Sequence, residues 1–276
     1  MNERPAPLDR LRARIARLGA PLCLGIDPHP DSLPDDLSRD LAGVEAFARG
    51  LLEAAAEHAA GIKVNVAFFE AFGSAGWAAL ERLVADVPAD HFLLLDAKRG
   101  DIGSTAERYA AGLFGHLGAD AVTVSPYVGE DTVEPFLAYP GRVVFLVART
   151  SNPSAGRLQD LPVGGEPLHE RVATWAASTW TDGRVGLVVG ATAPAELLRL
   201  RQIAPRLPFL VPAIGAQGGD LEVAVATCHG SAAPGLVSIS RAIASASRGA
   251  DWRAAAAEAA QTWLGRMQEA GATLPA

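Results

Sequence analysis

Eight short apolar runs, each followed by a loop and a segment rich in alanine and leucine, constrain the fold of this chain more than any other feature. Such runs are typical of parallel strands that are buried on both faces, and the longer segments between them are typical of helices. The chain is therefore predicted to consist of repeated βα units. The predicted strands are Leu22–Asp27, Gly61–Asn65, Phe92–Ala97, Ala121–Ser125, Val143–Ala148, Val185–Val189, Phe209–Pro212 and Leu236–Ser240.

The number of units favours one closed α/β architecture, the (β/α)8 or TIM barrel, which uses about 250 residues. The length of 276 residues and the hydrophobic content of 49% agree with it. An open, doubly wound sheet is the alternative, but the glycine fingerprint of dinucleotide-binding folds is missing after the first strand. The clearest helical segments are Leu41–Ala60, Ala75–Val87, Ala106–Leu117 and Ala193–Ile203.

The chain shows no low-complexity linker or charge block, so we expect a single domain over residues 1–276. Residues 1–20 are expected to form a helical cover over one end of the core, since Leu11, Ile15 and Leu18 recur at helical spacing. Residues 149–170 form the longest irregular connection and follow the fifth strand. A connection of this length is either a binding loop or a tolerated surface insertion.

The charge and the cysteines limit the partners and the compartment. A formal charge of −7 argues against nucleic acid as a partner, because little counterion release would drive binding. Cys23 and Cys228 make no disulfide framework, which is typical of a reducing compartment. The arginine-rich amino terminus has no uninterrupted apolar segment behind it, so we expect neither a signal peptide nor a membrane partner, and a cytoplasmic location.

Polar side chains directly follow most of the predicted strands. Because the active sites of TIM barrels form at the carboxyl ends of the strands, these positions are the first candidates for a site. A single polar residue there is usually only the beginning of a loop, so the set is more informative than its members. The set is Asp27, Lys63, Asn65, Asp96, Lys98, Ser125, Arg149 and Arg241.

The segment from Asp96 to Thr105 is the strongest candidate. Strand alternation places Asp96 and Lys98 on the same side, and the next turn can bring Asp101, or its symmetry copy, close to them. At about 4 Å and an effective dielectric constant near 20, each carboxylate would attract the ammonium by roughly 4 kcal/mol. Lys98 is therefore expected to be a protonated acid. A structural ion pair at the barrel rim is the alternative for an isolated Asp-x-Lys.

This segment resembles the Asp-x-Lys-x-x-Asp-Ile-x-x-Thr signature of orotidine 5'-phosphate decarboxylases at all five positions, from Asp96 to Thr105. The shorter Asp-x-Lys-x-x-Asp also occurs in related barrels that use magnesium. The resemblance extends over nearly the whole chain and is closest to the longer bacterial subgroup of the family. The other segments that carry it are Leu24–Pro28, Lys63–Glu70, Ala148–Ser154 and Pro212–Asp220.

The resemblance implies a charge network and a dimer. Lys63, Asp96, Lys98 and Asp101 would alternate in sign and form the catalytic group, with Asp101 coming from the second subunit of a homodimer. It also implies a TIM barrel that converts orotidine 5'-phosphate to uridine monophosphate and CO2 with neither a cofactor nor a metal.

The resemblance further implies how the substrate is held. Asp27, Lys63 and Thr105 would contact the ribose hydroxyls, Ser125 and Gln217 the pyrimidine or its neighbouring groups, and Gln217 with Arg241 the 5'-phosphate. The phosphate assignment is also reasonable without the resemblance, because TIM barrels often bind phosphate in the loops after strands seven and eight, where Gly215, Gly218 and Gly219 lie.

One position departs from the family pattern, since Ser240 precedes Arg241 where the family commonly has glycine. The histidines, including His29, His91 and His116, lack the spacing of metal ligands, and we give them no role. The roles of Asn65, Glu70 and Arg149 stay open.

The implied chemistry needs stabilisation of a carbanion at C6 of the pyrimidine. The Lys98 ammonium would stabilise it and then protonate it, while Asp96 would disfavour the carboxylate ground state. Two alternatives stay open. One is a magnesium-dependent sugar-phosphate aldolase or decarboxylase of the same barrel group, and the other is a non-catalytic relative that binds a nucleotide.

Overall fold

Eight parallel strands form a closed barrel in which each strand pairs with its neighbours in sequence, and the last strand pairs with the first. The TIM-barrel prediction is confirmed, and the open-sheet alternative is wrong. The computed structural model describes residues 5–215, 217–228 and 233–273. The barrel strands are β1 (Leu22–Ile26), β2 (Gly61–Asn65), β3 (Phe92–Arg99), β4 (Ala121–Val124), β5 (Val143–Arg149), β6 (Val185–Val189), β7 (Phe209–Val211) and β8 (Leu236–Ile239).

Helices surround the barrel and connect most of the strands. They are α1 (Pro7–Leu18), α2 (Leu41–Ala55), α3 (Ala67–Glu70), α4 (Gly73–Ala85), α5 (Gly103–Ala110), α6 (Glu134–Leu137), α7 (Gly156–Gln159), α8 (Leu168–Thr179), α9 (Pro194–Ile203), α10 (Leu221–Cys228), α11 (Arg241–Ala244) and α12 (Trp252–Ala272). Three of the predicted helical segments end earlier as α-helix than expected. Helix α2 passes into a 3-10 turn, α5 passes into a π-helical turn at Ala111–His116, and α4 ends two residues before Val87.

The apolar side chains form two cores because strand residues alternate between two buried faces. The larger core lies between the strands and the surrounding helices. The smaller one fills the barrel interior, where Cys23, Leu94, Phe145 and Leu210 from four strands meet. Residues on every strand therefore lose contact with water on both sides, which explains the nearly continuous apolar runs.

Helix α1 packs against the smaller core through Leu11, which is fully buried. Charged groups fix the helix there as well. The Nη2 of Arg10 lies 2.5 Å from Oδ2 of Asp120, and the same carboxylate accepts a hydrogen bond from the backbone N–H of Leu93. Because Asp120 directly precedes β4 and Leu93 lies in β3, this pair ties α1 to two barrel strands.

The connection after β5 contains structure of its own. Helix α7 is followed by a small antiparallel hairpin that pairs Pro162–Val163 with Glu166–Pro167, and α8 then begins at Leu168. An ion pair between Nε of Arg149 and Oδ1 of Asp160, 3.0 Å apart, fastens the segment to the end of β5.

Both cysteines are unpaired and buried. In the described part of the chain, no helix combines the length and the apolar character that crossing a membrane requires.

The packing of α1 leads to a prediction for stability. Replacing Leu11 with alanine leaves a cavity in the interior core, so we expect the free energy of unfolding to fall by about 2–5 kcal/mol. Urea denaturation followed by circular dichroism measures the change. Leu198→Ala, at a position that is 45% exposed on α9, is the control and should stay within about 0.5 kcal/mol of the unmutated chain. Equal losses in both variants would contradict the packing role of α1.

Candidate active site

Two lysines and two aspartates alternate along the carboxyl ends of the first three strands. The Nζ of Lys63 on β2 lies 3.0 Å from Oδ1 of Asp27 and 3.6 Å from Oδ2 of Asp96. The Nζ of Lys98 lies 2.6 Å from Oδ1 of Asp96. The order Asp27, Lys63, Asp96, Lys98 is thus a continuous chain of opposite charges across β1, β2 and β3.

Burial and neighbouring charges act in opposite directions on this network. Burial alone would lower the pKa of Lys63, but the charges of Asp27 and Asp96 outweigh it and hold that pKa above its ordinary value. Burial would likewise raise the pKa of Asp96, but the ammonium groups of Lys63 and Lys98 outweigh it and hold that pKa below its ordinary value. Lys63 and Asp96 therefore both carry their charges at neutral pH.

The contact between Asp96 and Lys98 depends on an irregular piece of strand. Leu95 pairs with Val122 and Arg99 pairs with Val124, so the residues 96–98 of β3 stand opposite Thr123 of β4. Within this bulge Lys98 has a φ of 44°, in the left-handed region. The two side chains meet as predicted, but through the bulge and not through regular strand alternation.

Two hydroxyl groups also contact the carboxylates of this network. The Thr123 hydroxyl donates to Oδ1 of Asp96 at 2.8 Å, and the Ser240 hydroxyl donates to Oδ2 of Asp27. The serine that departs from the family pattern therefore contacts an acid of the network. Neither hydroxyl is among the site residues predicted from the sequence.

The network faces a cavity of about 410 Å³ at the carboxyl end of the barrel. Six of the predicted site residues line it together, which are Asp27, Lys63, Asp96, Lys98, Gln217 and Arg241. Asn65 lines it as well. Gln217 and Arg241 thus lie in the same cavity as the charge network, Gln217 in the loop after β7 and Arg241 at the start of α11, which follows β8.

Three predicted site residues lie outside that lining. The Oδ1 of Asp101 accepts a hydrogen bond from the backbone N–H of Ile102 just before α5, and Thr105 is exposed on α5. Ser125 packs beside Gly100, because β4 ends one residue earlier and the chain turns at Pro126–Val128. The structure does not bring these three side chains of one chain to the cavity.

The loop after β5 supplies residues that the sequence analysis missed. Thr150, Ser151 and Asn152 line the cavity. The Oε1 of Gln159 on α7 accepts a hydrogen bond from the backbone N–H of Thr150 at 2.8 Å, which braces this wall. The signal in the sequence that could have identified these three residues is the family-like segment Ala148–Ser154, which contains them.

The remaining residues with open roles lie in ion pairs. Glu70 pairs with Arg99, and Arg149 pairs with Asp160. Within the described ranges, no group of three or more histidine, cysteine, aspartate or glutamate side chains is arranged to hold a metal ion.

A closed (β/α)8 barrel with a charge network at the carboxyl ends of its strands defines a TIM-barrel enzyme. A sequence model of the orotidine 5'-phosphate decarboxylase / HUMPS family matches residues 20–259. The chain belongs to this family, and the recognition from the sequence is confirmed.

Relatives with this description cover most of the chain. The orotidine 5'-phosphate decarboxylase of Roseiflexus castenholzii is 50% identical over 87% of this chain and 89% of its own length. That of Herpetosiphon aurantiacus is 43% identical over 93% of this chain and 96% of its own. A crystal structure of a putative orotidine-monophosphate-decarboxylase from Toxoplasma gondii is 36% identical, has a TM-score of 0.86 and aligns over 96% of both chains.

The buried position of Lys63 leads to a pH-dependent prediction. Lys63→Met leaves Asp27 and Asp96 facing each other, so we expect it to lower the free energy of unfolding at pH 7.5 by about 3–5 kcal/mol. In the unmutated chain the depressed pKa of Asp96 gives a stabilisation that is present above the unfolded pKa of about 3.9 and is lost only as pH falls through the folded pKa. The raised pKa of Lys63 likewise stabilises the folded chain, and this stabilisation is lost only as pH rises through the pKa that Lys63 has in the folded state.

In Lys63→Met the pKa of Asp96 rises, so the difference from the unmutated chain should shrink between pH 7.5 and pH 5. Urea midpoints at both pH values measure it. Arg108→Met, at a position whose side chain is 80% exposed, is the control and should show no such trend. A pH-independent loss in Lys63→Met would contradict the electrostatic account.

Proposed function

We propose that this chain is an orotidine 5'-phosphate decarboxylase, a carboxy-lyase that converts orotidine monophosphate to uridine monophosphate and CO2 in pyrimidine biosynthesis. The proposal rests on one observation above all. The Lys98 ammonium lies 2.6 Å from Asp96 at the cavity, in a chain 50% identical to a relative of that name.

We propose that Lys98 is the acid and Asp96 its partner. Loss of CO2 leaves an electron pair at C6, and a fixed ammonium beside that carbon would stabilise the pair and then donate its proton to it. The Asp96 carboxylate near the departing carboxylate would raise the free energy of the bound substrate. Lys63, which is held between Asp27 and Asp96, keeps both carboxylates in place.

We further propose that the part of the cavity formed after β7 and β8 holds the phosphate. Arg241 offers a forked donor, and Gln217 lies in a turn flanked by Gly215 and Gly218, which both have positive φ values. Asp27 and Lys63 would then contact the ribose hydroxyls between the phosphate and the base. The phosphate does not react, but its binding free energy can be used to lower the barrier at the reacting carbon.

The pyrimidine contact is an assignment that we change. Ser125 of the same chain lies outside the cavity lining, whereas Ser151 and Asn152 lie within it. We therefore propose that Ser151 and Asn152, together with Gln217, offer the polar groups that face the base.

The magnesium-dependent alternative shares the Asp-x-Lys-x-x-Asp motif, so this motif alone does not decide between the two functions. The named relatives favour the decarboxylase. The position of Lys63 also favours it, since both carboxylates that could face a cation already face this ammonium. The non-catalytic alternative gives no reason for a second lysine at the cavity.

We propose that two chains form a homodimer in which Asp101 and Thr105 of each subunit complete the cavity of the other. Both residues lie on the segment after β3, outside their own cavity. Exposed apolar side chains surround that position, with Ile102 49%, Tyr127 82% and Val128 44% exposed. Exposed apolar surface of this kind marks association sites.

We also propose that the chain is a single domain that acts in the cytoplasm without nucleic acid, membrane or cofactor. Two buried, unpaired cysteines suit a reducing compartment. The net charge of −7 disfavours polyanions.

The first functional prediction concerns Lys98. The unmutated chain should convert orotidine monophosphate, seen as a loss of substrate absorbance, with the same rate before and after treatment with a chelator. Lys98→Ala removes both the ammonium and the proton donor, so its kcat should fall by more than about 1,000-fold. Arg199→Ala, an exposed position on α9, should keep full activity. Persistence of the substrate with the unmutated chain would refute the proposed function.

The second functional prediction concerns shared sites. Asp101→Ala and Lys98→Ala should each be inactive alone. If two subunits complete each other's cavities, mixing the unfolded variants and refolding them should restore about a quarter of the activity, because half of the dimers have one intact site. Mixing either variant with itself is the control. A mixture that stays inactive would contradict a site shared between subunits.

A further inference from the structure

Thr123 occupies the position opposite the bulge that carries Asp96 and Lys98. It lies in β4 and is fully buried, with 0% of its surface exposed. Its hydroxyl donates to Oδ1 of Asp96 at 2.8 Å and accepts from the backbone N–H of Lys98 at 2.9 Å. The directions are unambiguous, because an ionised carboxylate can only accept and a backbone N–H can only donate.

The backbone of Lys98 needs such a partner. The φ of 44° at Lys98 is a conformation that costs a non-glycine residue about 1–2 kcal/mol relative to the ordinary regions of backbone conformation. Neighbouring strands cannot supply the regular ladder hydrogen bond here, since the pairing of β3 with β4 is interrupted between Leu95 and Arg99. The backbone N–H of Lys98 therefore has no partner in the strand ladder, and it donates to the Thr123 hydroxyl instead.

The side chain of threonine suits this position. Its branching at Cβ restricts the rotation of the hydroxyl on a strand, so the two hydrogen bonds are directed before substrate arrives. Thr123 is not among the described residues that line the cavity. Any effect of Thr123 on a bound substrate must therefore pass through Asp96 and Lys98.

We propose that Thr123 is a positioning residue, whose single hydroxyl fixes both the Asp96 carboxylate and the left-handed backbone of Lys98 and thereby sets where the ammonium stands. The part of the proposal that concerns catalysis rests on the proposed decarboxylase function. The part that concerns geometry does not.

Two substitutions separate the hydroxyl from the shape of the side chain. Thr123→Val keeps the shape and removes both hydrogen bonds, whereas Thr123→Ser keeps the hydroxyl. We expect Thr123→Val to lower kcat about 10- to 100-fold with KM within about two-fold of the unmutated chain, since hydrogen bonds to charged groups contribute that much. Thr123→Ser should recover kcat to within about three-fold of the unmutated value, because it restores the donor.

The matched control is Thr227→Val. Thr227 is also a buried threonine, but its hydroxyl bonds to carbonyl oxygens of α10, far from the cavity. This variant should keep its kcat. An equal loss of kcat in both valine variants, or none in Thr123→Val, would overturn the proposal.

A crystal structure of Thr123→Val tests the geometry without any assay. We expect the Asp96 carboxylate to rotate or Lys98 to leave the left-handed region, and superposition of both residues on their unmutated positions would overturn the proposal. If the unmutated chain fails to decarboxylate the substrate, the proposed function fails, while the crystal structure still decides the role of Thr123.

Discussion

The ammonium of Lys63 between two carboxylates is the interaction on which the rest of the site depends. The register of the barrel places Lys63 beside Gly25 of β1 and Leu94 of β3, so its side chain reaches acids on both neighbouring strands. Removing a single partner from a buried ion pair costs far more than the pair contributes, because a charge is left without compensation. Each member of the network therefore requires the others.

The barrel itself could be read from the sequence because its strands are buried on both faces. Gly61–Asn65 and Val185–Val189 have the predicted bounds, and the other strands differ by one or two residues at one end. The apolar runs also explain why Asp27, Lys63, Asp96 and Lys98 could be predicted from the sequence as site residues. A charged residue within or directly after an apolar run differs clearly from its neighbours.

Other parts of the site depend on irregular pairing, which has no signature in one sequence. Thr123 stands in the apolar run of β4 and resembles an ordinary strand residue, and only the bulge in β3 brings it to Asp96. Strand β5 shows the same effect, since its pairing with β6 shifts between Val147 and Arg149. The polar residues that reach the cavity there begin at Thr150, beyond the predicted strand end.

Helix α1 and the end of α12 have a consequence for the boundaries of the folded unit. Both lie outside the residues 20–259 that match the family, yet Leu11 and Met267 are fully buried. The Nε2 of Gln268 donates to the backbone oxygen of Leu18 at 2.7 Å, so the two outlying pieces also contact each other. A recombinant fragment cut to the family match would expose apolar surface at both ends of the chain, and expression work should keep both helices whole.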